Sequence, residues 1–202
     1  MGLDALLAEV RACRICAEAK MPLPHDPRPV LQPGPQARIL IAGQAPGVRV
    51  HASGRPFTDP SGVRLRQWLG VNEATFYDPR HMAILPMGLC FPGLDAKGSD
   101  LPPRPECAPA WRAKLLAEMP GIELVVCLGA HAMRWHMGAA WPGAVDMAVR
   151  NWRAGLKLAP AVMPLPHPSW RNSGWLKRNP WFSRELVPEL QARVARLLGP
   201  PA

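Results

Sequence analysis

Short apolar runs alternate along the chain with segments in which apolar residues recur at helical spacing. The short runs predict buried strands, because each is rich in branched apolar residues and is followed by glycine or proline. These runs are residues 38–42, 82–85, 124–128 and 161–165. The helical spacing predicts helices over residues 3–16, 63–69, 110–119, 129–137 and 188–198, whereas residues 140–157 follow neither pattern.

Strands that alternate with helices are typical of a mostly parallel sheet covered on both faces. We therefore expect an α/β fold, a three-layer α/β/α sandwich with a short, mostly parallel sheet of about four strands. The length of 202 residues suits a single domain over residues 1–202. Sheets of this kind bind ligands at the carboxyl ends of their strands, so the loops after the four runs are the candidate site.

The charge of the chain favours a polyanionic partner. Lys and Arg total 24 against 15 Asp and Glu, a net charge of +9, which favours nucleic acid over an acidic membrane. The N-terminus lacks the long apolar core of a signal peptide, and no apolar run reaches transmembrane length. We expect a cytoplasmic protein without membrane contact. In that compartment the five cysteines are expected to be ligands or thiols rather than disulfides.

Two motifs follow the first and last predicted strands. The first is Gly43-Gln44-Ala45-Pro46-Gly47, continued by a Gly-Arg-Pro-Phe-Thr-Asp-Pro-Ser-Gly stretch over residues 54–62. The second is His167-Pro168-Ser169. Either motif alone is weak, but in this order they resemble the uracil-DNA glycosylase superfamily. The resemblance extends over roughly residues 13–182.

The resemblance implies a monofunctional DNA-repair glycosylase that hydrolyses the N-glycosidic bond of uracil, or of another damaged base, and leaves an abasic site. Such an enzyme must flip the nucleotide out of the DNA stack and hold the base against backbone and an aromatic ring. The pocket would be formed by Gln44 with the neighbouring backbone at Gly43, Ala45 and Gly47, and Phe57 would stack on the base. No cofactor is expected to enter the chemistry.

Two side chains are the candidates for catalysis. By resemblance, His167 donates a hydrogen bond to the carbonyl oxygen of the departing pyrimidine. Family members carry a carboxylate at the position of Ala45 or of Gln44, and this chain has neither. Another branch uses an Asp after a GRxFTG stretch, and Asp59 matches it with one residue fewer between Thr and Asp. Asp59 is therefore expected to orient the water or stabilise the cationic sugar, although Asp59-Pro60 is also typical of a helix N-cap.

Recognition of the base departs from the family pattern. In the tyrosine-containing members a Tyr at the position of Gly47 excludes the methyl group of thymine, so Gly47 leaves that wall open unless another side chain fills it. The family often places an Asn after the second strand, where this chain has residues 85–88 without an amide. Reading of the base would then fall to Gln44, to backbone groups or to Asn172, and the range of accepted bases stays open.

Four of the cysteines form a third group. Cys13 and Cys16 form a CxxC pair, and Cys90 and Cys107 flank a Pro- and Gly-rich loop. Four thiolates suit an iron–sulfur cluster or a zinc ion, whereas a lone CxxC can be a redox pair. Their spacing resembles that of the iron–sulfur glycosylases, which implies a structural [4Fe–4S] cluster, with zinc or no metal as alternatives. Cys127, inside an apolar run, is predicted to be a core thiol.

Tryptophans interleave with Lys and Arg over residues 170–181, which is typical of a DNA-contacting segment. We expect Ser169 and Arg171 to contact phosphates. The expected partner is DNA containing uracil or an abasic site, bound by a monomer. One alternative is a non-catalytic binder of damaged or abasic DNA, since no carboxylate stands at positions 44 and 45. Another is a hydrolase of small-molecule or RNA bases, whose activity would be insensitive to salt.

Overall fold

The computed structural model describes residues 2–199, which form a four-stranded sheet with helices between the strands. The strands are β1 (Ile39–Ala42), β2 (Met82–Ile84), β3 (Leu124–Leu128) and β4 (Ala161–Leu165). The helices are α1 (Leu3–Arg11), α2 (Val48–Ser53), α3 (Pro60–Leu69), α4 (Glu73–Phe76), α5 (Cys107–Ala117), α6 (Ala130–Met137), α7 (Val145–Arg150), α8 (Trp152–Gly155), α9 (Ser173–Arg178) and α10 (Val187–Leu198). Short 3₁₀ turns cover Gly138–Ala140 and Trp170–Asn172, and a π-helical turn covers Phe182–Leu186.

The strands pair in parallel, in the order β2-β1-β3-β4. Ile39, Leu40 and Ile41 of β1 expose none of their surface, although successive side chains of a strand point to opposite faces. Burial of both kinds of position requires a layer of helices on each side of the sheet. The predicted three-layer α/β/α fold with a short parallel sheet is confirmed.

The strand order creates a crevice at one point of the sheet. From β1 the chain proceeds to β2 on one side and later returns to β3 on the other side of β1. The loops that leave β1 and β3 therefore run in different directions, and open parallel sheets bind their ligands at such a point. The Gly43–Gly47 motif follows β1 directly, so the topology places this motif at the crevice.

Three helices differ in extent from the sequence prediction, and one of them, α5, begins at Cys107 rather than at residue 110 and ends at Ala117 rather than at residue 119. Helix α1 ends at Arg11 rather than at residue 16, because its buried face ends with Val10, and the CxxC pair lies in the turns that follow. Helix α3 begins at Pro60 rather than at residue 63. The reason is that the Asp59 side chain accepts a hydrogen bond from the Gly62 N–H and Pro stands at the first helical position.

Residues 140–157, whose sequence shows no periodic pattern, contain helices α7 and α8. Both helices pack against β4, and Val149 and Trp152 are buried there. Helices of six and four residues are too short to show a helical repeat of apolar positions. The sequence therefore predicted neither α7 nor α8.

A buried polar pair supports the carboxyl end of β2. Arg112 on α5 is 2% exposed, and its guanidinium donates to the carbonyl oxygens of Leu85 and Pro86 at 3.1 and 3.2 Å and to Nε2 of His136. Burial, with the charge of Arg112 as a second cause, lowers the pKa of His136 to about 3. His136 is thus neutral, and its Nε2 accepts from the same buried guanidinium as the two carbonyl groups.

Candidate functional site

A pocket opens at the carboxyl ends of the strands and contains parts of both sequence motifs. Its wall includes Gly43, Gln44, Ala45, Gly47, Phe57, Asp59 and His167. Two further polar residues line it: Ser61, which belongs to the first motif, and Asp100, which belongs to neither motif. These residues lie far apart in the sequence, and they meet because parallel strands end at the same edge of the sheet.

Main-chain hydrogen bonds hold the first motif in place. The carbonyl oxygens of Gly43 and Gln44 accept from the N–H groups of Met87 and Gly88, each at 2.9 Å. These bonds continue the pairing of β1 with β2 beyond the ends of the strands. The side chain of Gln44 lines the pocket and donates from Nε2 to the carbonyl oxygen of Leu101 at 3.4 Å, so it also ties the motif to the loop after β2.

Phe57 is held in the pocket by an unusual backbone conformation. Its φ of 56° lies in the left-handed region, which residues other than glycine seldom adopt. The Tyr77 hydroxyl group, at 2.8 and 3.1 Å from the carbonyl oxygens of Pro56 and Phe57, donates its hydrogen bond there and stabilises the turn. This turn requires glycine at position 62, because a Cβ at Gly62 would lie 1.9 Å from the Phe57 carbonyl oxygen. The ring itself lies over Gly43.

Asp59 lies at the pocket wall and also caps α3. Its Oδ1 accepts from the hydroxyl group of Ser61 at 2.6 Å and from the N–H of Gly62 at 3.4 Å. The position therefore satisfies both sequence interpretations, the helix cap and the pocket carboxylate. The two donors fix the orientation of the carboxylate and engage one of its oxygens, while its catalytic role stays a prediction.

His167 reaches the pocket from the loop after β4. Its Nδ1 accepts a hydrogen bond from the N–H of Ser169 at 3.3 Å, which places the proton of the neutral ring on Nε2. Burial lowers the pKa of His167, although the nearby carboxylates of Asp59 and Asp100 oppose this effect. The neutral ring with a proton on Nε2 is therefore the favoured form at neutral pH.

The structure places Asn172 behind this histidine rather than at the pocket wall. The Asn172 amide donates to the carbonyl oxygen of His167 at 2.7 Å. Arg64 on α3 donates to the carbonyl oxygen of Ser169 at 2.9 Å. The two bonds hold the loop from His167 to Asn172 against α3, and Asn172 contributes to the site through the position of His167.

The loop after His167 presents basic and aromatic groups to solvent. Arg171 is exposed, Trp170 is 76% exposed, and Ser169 is half-buried between them and the pocket. The chain carries a net charge of +9. Among residues 2–199, the structure contains no helix with the length and apolar character needed to cross a bilayer.

Asp100 is the pocket residue that the sequence analysis missed. It faces the first motif at its last glycine, since a Cβ at Gly47 would lie 3.3 Å from Oδ2 of Asp100. Loss of water on the pocket side raises the pKa of Asp100, and Asp59 adds to the rise, while Arg171 and His167 oppose it. The one sequence signal was indirect: Gly47 leaves a gap in the wall that some other side chain can fill.

A short turn over residues 93–101 carries Asp100. The carboxylate of Asp95 accepts from the N–H groups of Lys97 and Ser99, each at 2.8 Å. The N–H of Leu101 donates to the carbonyl oxygen of Gly93 at 3.0 Å and closes the turn at its base. The turn is exposed to solvent over most of its length, so Asp100 lies at the mouth of the pocket and not in its interior.

Four cysteines lie together on one side of the molecule, away from the core thiol Cys127. Burial raises the pKa of Cys16, Cys90 and Cys107, and each rise is increased by neighbouring thiols of the set Cys13, Cys16, Cys90 and Cys107. Two of the sulfur atoms accept hydrogen bonds: Cys13 from the indole N–H of Trp111 at 3.2 Å, and Cys107 from the N–H of Leu89 at 3.3 Å. Among residues 2–199, no three His, Cys, Asp or Glu side chains are close enough together to hold one metal ion.

The chain matches known proteins over the part that forms the pocket. A family model described as the uracil DNA glycosylase superfamily matches residues 31–191, which include all four strands but neither Cys13 nor Cys16. The fold is also similar to a solution NMR structure from Methanosarcina acetivorans that is provisionally named a uracil DNA glycosylase. That similarity has a TM-score of 0.48 and 16% sequence identity and covers 85% of this chain and 98% of that chain.

Proposed function

Because this chain belongs to the uracil DNA glycosylase superfamily, we propose that it excises uracil from DNA by hydrolysis of the N-glycosidic bond and leaves an abasic site. The observation that carries the proposal is the meeting of Phe57, Asp59 and His167 in one pocket. An aromatic ring, an anion and a neutral hydrogen-bond donor are the three groups that this reaction requires. The same pocket determines which other bases are accepted, and deaminated purines are therefore included in the test.

The interior of the pocket suits a flipped base. Gly43 and Gly47 carry no side chain, so the backbone of the motif can approach a planar ring closely. Phe57 provides a flat wall whose orientation is fixed by its backbone conformation and by Tyr77. A base that leaves the DNA stack loses stacking energy, and contact with such a ring recovers part of it.

His167 would stabilise the leaving pyrimidine. When the bond between C1′ and the base nitrogen breaks, its electron pair stays on the base, and negative charge develops on the carbonyl oxygens. The bond from Ser169 to Nδ1 leaves the proton on Nε2, so a neutral His167 can donate toward that charge. Burial keeps the ring neutral, and a neutral imidazole is a sufficient donor when it is oriented in advance.

Asp59 would stabilise the sugar cation. The reaction leaves positive charge at C1′, and a carboxylate of fixed orientation lowers the energy of that state. Ser61 and Gly62 hold Asp59 in one orientation before the substrate binds. The same contacts explain how one residue can be both a helix cap and a catalytic anion.

The test of the function is release of uracil from a short DNA duplex with one uracil, scored as alkali-sensitive breaks under single-turnover conditions. We expect Asp59→Asn and His167→Asn each to lower the rate by about 10²- to 10³-fold, because each removes one source of charge stabilisation. His81→Asn is the matched control, since His81 is partly exposed and pairs with Asp78 away from the pocket. Its rate should equal that of the wild type.

The outcomes separate this function from its rival, a non-catalytic binder of damaged DNA. A binder would hold uracil-containing or abasic DNA and release no base at any protein concentration. If the wild type releases no uracil but still binds, deaminated purines are the next substrates. If none of these bases is released, the glycosylase proposal is wrong.

We further propose that DNA is bound through the loop from Ser169 to Arg171 and the surrounding positive charge. Exposed Arg171 can neutralise a phosphate, and Trp170 is accessible to a base or to the gap that the flipped nucleotide leaves. Binding should therefore weaken steeply as salt is added. Arg171→Gln should lower affinity for all DNA sequences alike and reduce the slope of affinity against salt by about one contact.

The four grouped cysteines support a structural cofactor, which we propose to be a [4Fe–4S] cluster held by Cys13, Cys16, Cys90 and Cys107. A cluster differs from one zinc ion in that each iron takes its own thiolate, so the four sulfurs need not meet at one point. N–H donors to two sulfurs and the Arg104 side chain beside Cys16 would stabilise thiolates. The cluster would join the N-terminal segment to the loop after β2, and it would supply no step of the reaction.

Iron and sulfide analysis of protein purified without oxygen tests this cofactor. Cys16→Ser should lose iron and visible absorbance, whereas Cys127→Ala should keep both, because Cys127 lies in β3 apart from the group. Zinc at one equivalent, without iron, would support the alternative ligand. Equal metal content in the two variants would contradict the assignment of these four cysteines.

A further inference from the structure

We propose that Asp100 is a second catalytic carboxylate, which holds the attacking water at the sugar carbon and accepts its proton. The proposal rests on the glycosylase function above and deepens it. It divides the work between two acids, with Asp59 as the oriented anion and Asp100 as the base. Four features of the described residues support this division.

The first feature is the position of Asp100 opposite Gly47. A Cβ at Gly47 would lie 3.3 Å from Oδ2 of Asp100, so the absence of a side chain in the motif gives the carboxylate its place. Asp100 lines the same pocket as Asp59 and His167. The acid comes from a loop remote in sequence, and it fills the gap that the motif leaves.

The second feature is the depth of each group in the pocket. A flipped base must enter the interior, where Phe57 and Gly43 lie, so its sugar remains at the mouth. Asp100 lies at that mouth and is exposed to solvent on one side. A carboxylate at the mouth of the pocket lies beside C1′ of the flipped nucleotide and is in contact with the water that the reaction consumes.

The third feature is the difference in hydrogen bonding between the two acids. One oxygen of Asp59 already accepts from Ser61 and Gly62, which leaves that oxygen less able to accept a hydrogen bond from water. The Asp100 carboxylate is fixed through the backbone of its turn rather than through side-chain donors. It can therefore accept from a water molecule without first giving up a partner.

The fourth feature is the charge around Asp100. The groups that face it are Asp59 from the start of α3, His167 from the loop after β4 and Arg171 from the following turn. Burial on the pocket side and the charge of Asp59 both favour proton uptake by Asp100, and a base of higher pKa removes a proton from water more effectively. Arg171 and His167 oppose this rise in the pKa of Asp100.

The step balances without any further reagent. The oxygen of water forms a bond to C1′ as the bond from C1′ to the base nitrogen breaks. The electron pair of the broken bond leaves with the base, toward which His167 donates, and the proton of the water passes to Asp100. The products are an abasic sugar with a hydroxyl group at C1′ and the anion of the base; Asp100 returns its proton to solvent, and the anion takes up a proton from solvent to become the free base.

The experiment uses the full-length protein and two DNA probes, so its affinity measurement does not depend on which base is excised. One duplex carries a tetrahydrofuran abasic site, which is neutral. The other carries a pyrrolidine at the same site, whose cation imitates the charged sugar. The affinity ratio of the two probes reports negative charge at C1′, and it cancels general effects of charge on DNA binding.

We expect Asp100→Asn to reduce this ratio by about tenfold and to slow single-turnover release of uracil by about 10²-fold or more, as loss of a general base does. Asp59→Asn should also reduce the ratio. Asp26→Asn is the matched control, since its side chain is 95% exposed. That control should match the wild type in both measurements.

An unchanged ratio and rate in Asp100→Asn, with both reduced in Asp59→Asn, would overturn the role of Asp100 and leave the glycosylase function intact. A reduced rate with an unchanged ratio would also overturn it, because the acid would then act away from the sugar. A wild type that binds neither probe more tightly than undamaged DNA would instead overturn the proposed function, and the inference with it.

Discussion

The two sides of the pocket are built in opposite ways. The side from Gly43 to Gly62 is rigid, with a strained Phe57, a capped Asp59 and a glycine that no other residue can replace. The side from residue 93 to residue 101 is a turn that is closed by main-chain bonds and exposed to solvent over most of its length. The contrast suits the proposed chemistry, since a flat base requires a fixed wall and an attacking water requires access. Each side can be tested by a change that should affect it alone.

Gly62→Ala tests the rigid side and should have the largest effect. Its Cβ would lie 1.9 Å from a backbone oxygen of Phe57, which cannot move without loss of the turn. We expect a loss of about 3 kcal/mol in the free energy of unfolding, measured with urea. Gly121→Ala is the control, because its Cβ would be 3.6 Å from the nearest atom, and it should change stability by less than about 0.5 kcal/mol.

Acid tests the support at the carboxyl end of β2, where the guanidinium of Arg112 donates to the carbonyl groups of Leu85 and Pro86. The folded-state pKa of His136 is lowered from 6.5 to about 3. Its contribution to stability is therefore complete above pH 6.5 and is lost as the pH falls below that value. Between pH 6.5 and 5 we expect a loss from His136 of up to about 1.4 kcal/mol per pH unit.

Urea unfolding at several pH values measures this loss. The His136→Gln variant can still accept from Arg112 but does not titrate, so its stability should depend less on pH over the same range. His167 also has a lowered pKa and contributes in the same direction. Equal slopes for wild type and His136→Gln would show that the buried pair does not control acid stability.

Tyr77→Phe tests the strain at Phe57. The variant removes the hydroxyl group that donates to the carbonyl oxygens of Pro56 and Phe57. We expect a loss of about 1 kcal/mol in unfolding free energy and a several-fold slower release of uracil, because the ring is less firmly held. A slower release without loss of stability would place the role of Tyr77 in the substrate complex instead.

Gly47→Ala tests the contact between the two sides and should have the smallest effect on stability. The new Cβ would press on the Asp100 carboxylate at 3.3 Å, and a side chain on an open turn can move by a few tenths of an ångström. The free energy of unfolding should change by less than about 0.5 kcal/mol. The release of uracil should slow by about tenfold, because Asp100, the proposed general base, is displaced. A large loss of stability would show that the turn is as rigid as the opposite side.

The sequence predicted the sheet and the motif side of the pocket well, and the reasons are local. Each strand is a compact apolar run that ends in glycine or proline, so its limits are marked in the chain itself. Asp59 could be recognised because Asp-Pro before a helical segment is a local capping signal. Phe57 was identified by its place in the motif, but its left-handed backbone was not.

Asp100 and the short helices could not be predicted for the opposite reason. The turn at residues 93–101 has no pattern that distinguishes it from other glycine- and proline-rich loops. Its importance comes from contact with Gly47, which only the folded chain creates. The contact of Asn172 with the backbone of His167 could not be predicted for the same reason, because an amide near a motif can support the backbone as well as line a pocket.

The parallel sheet has a consequence for the synthesis of the protein. The pocket requires Gly43 and His167, which are separated by most of the chain, and the pairing of β4 with β3 brings them to the same edge of the sheet. A ribosome-bound chain that has not yet released β4 also lacks His167, so its pocket is incomplete. Under the proposed function, such a partly made protein could not release a base even where it binds DNA.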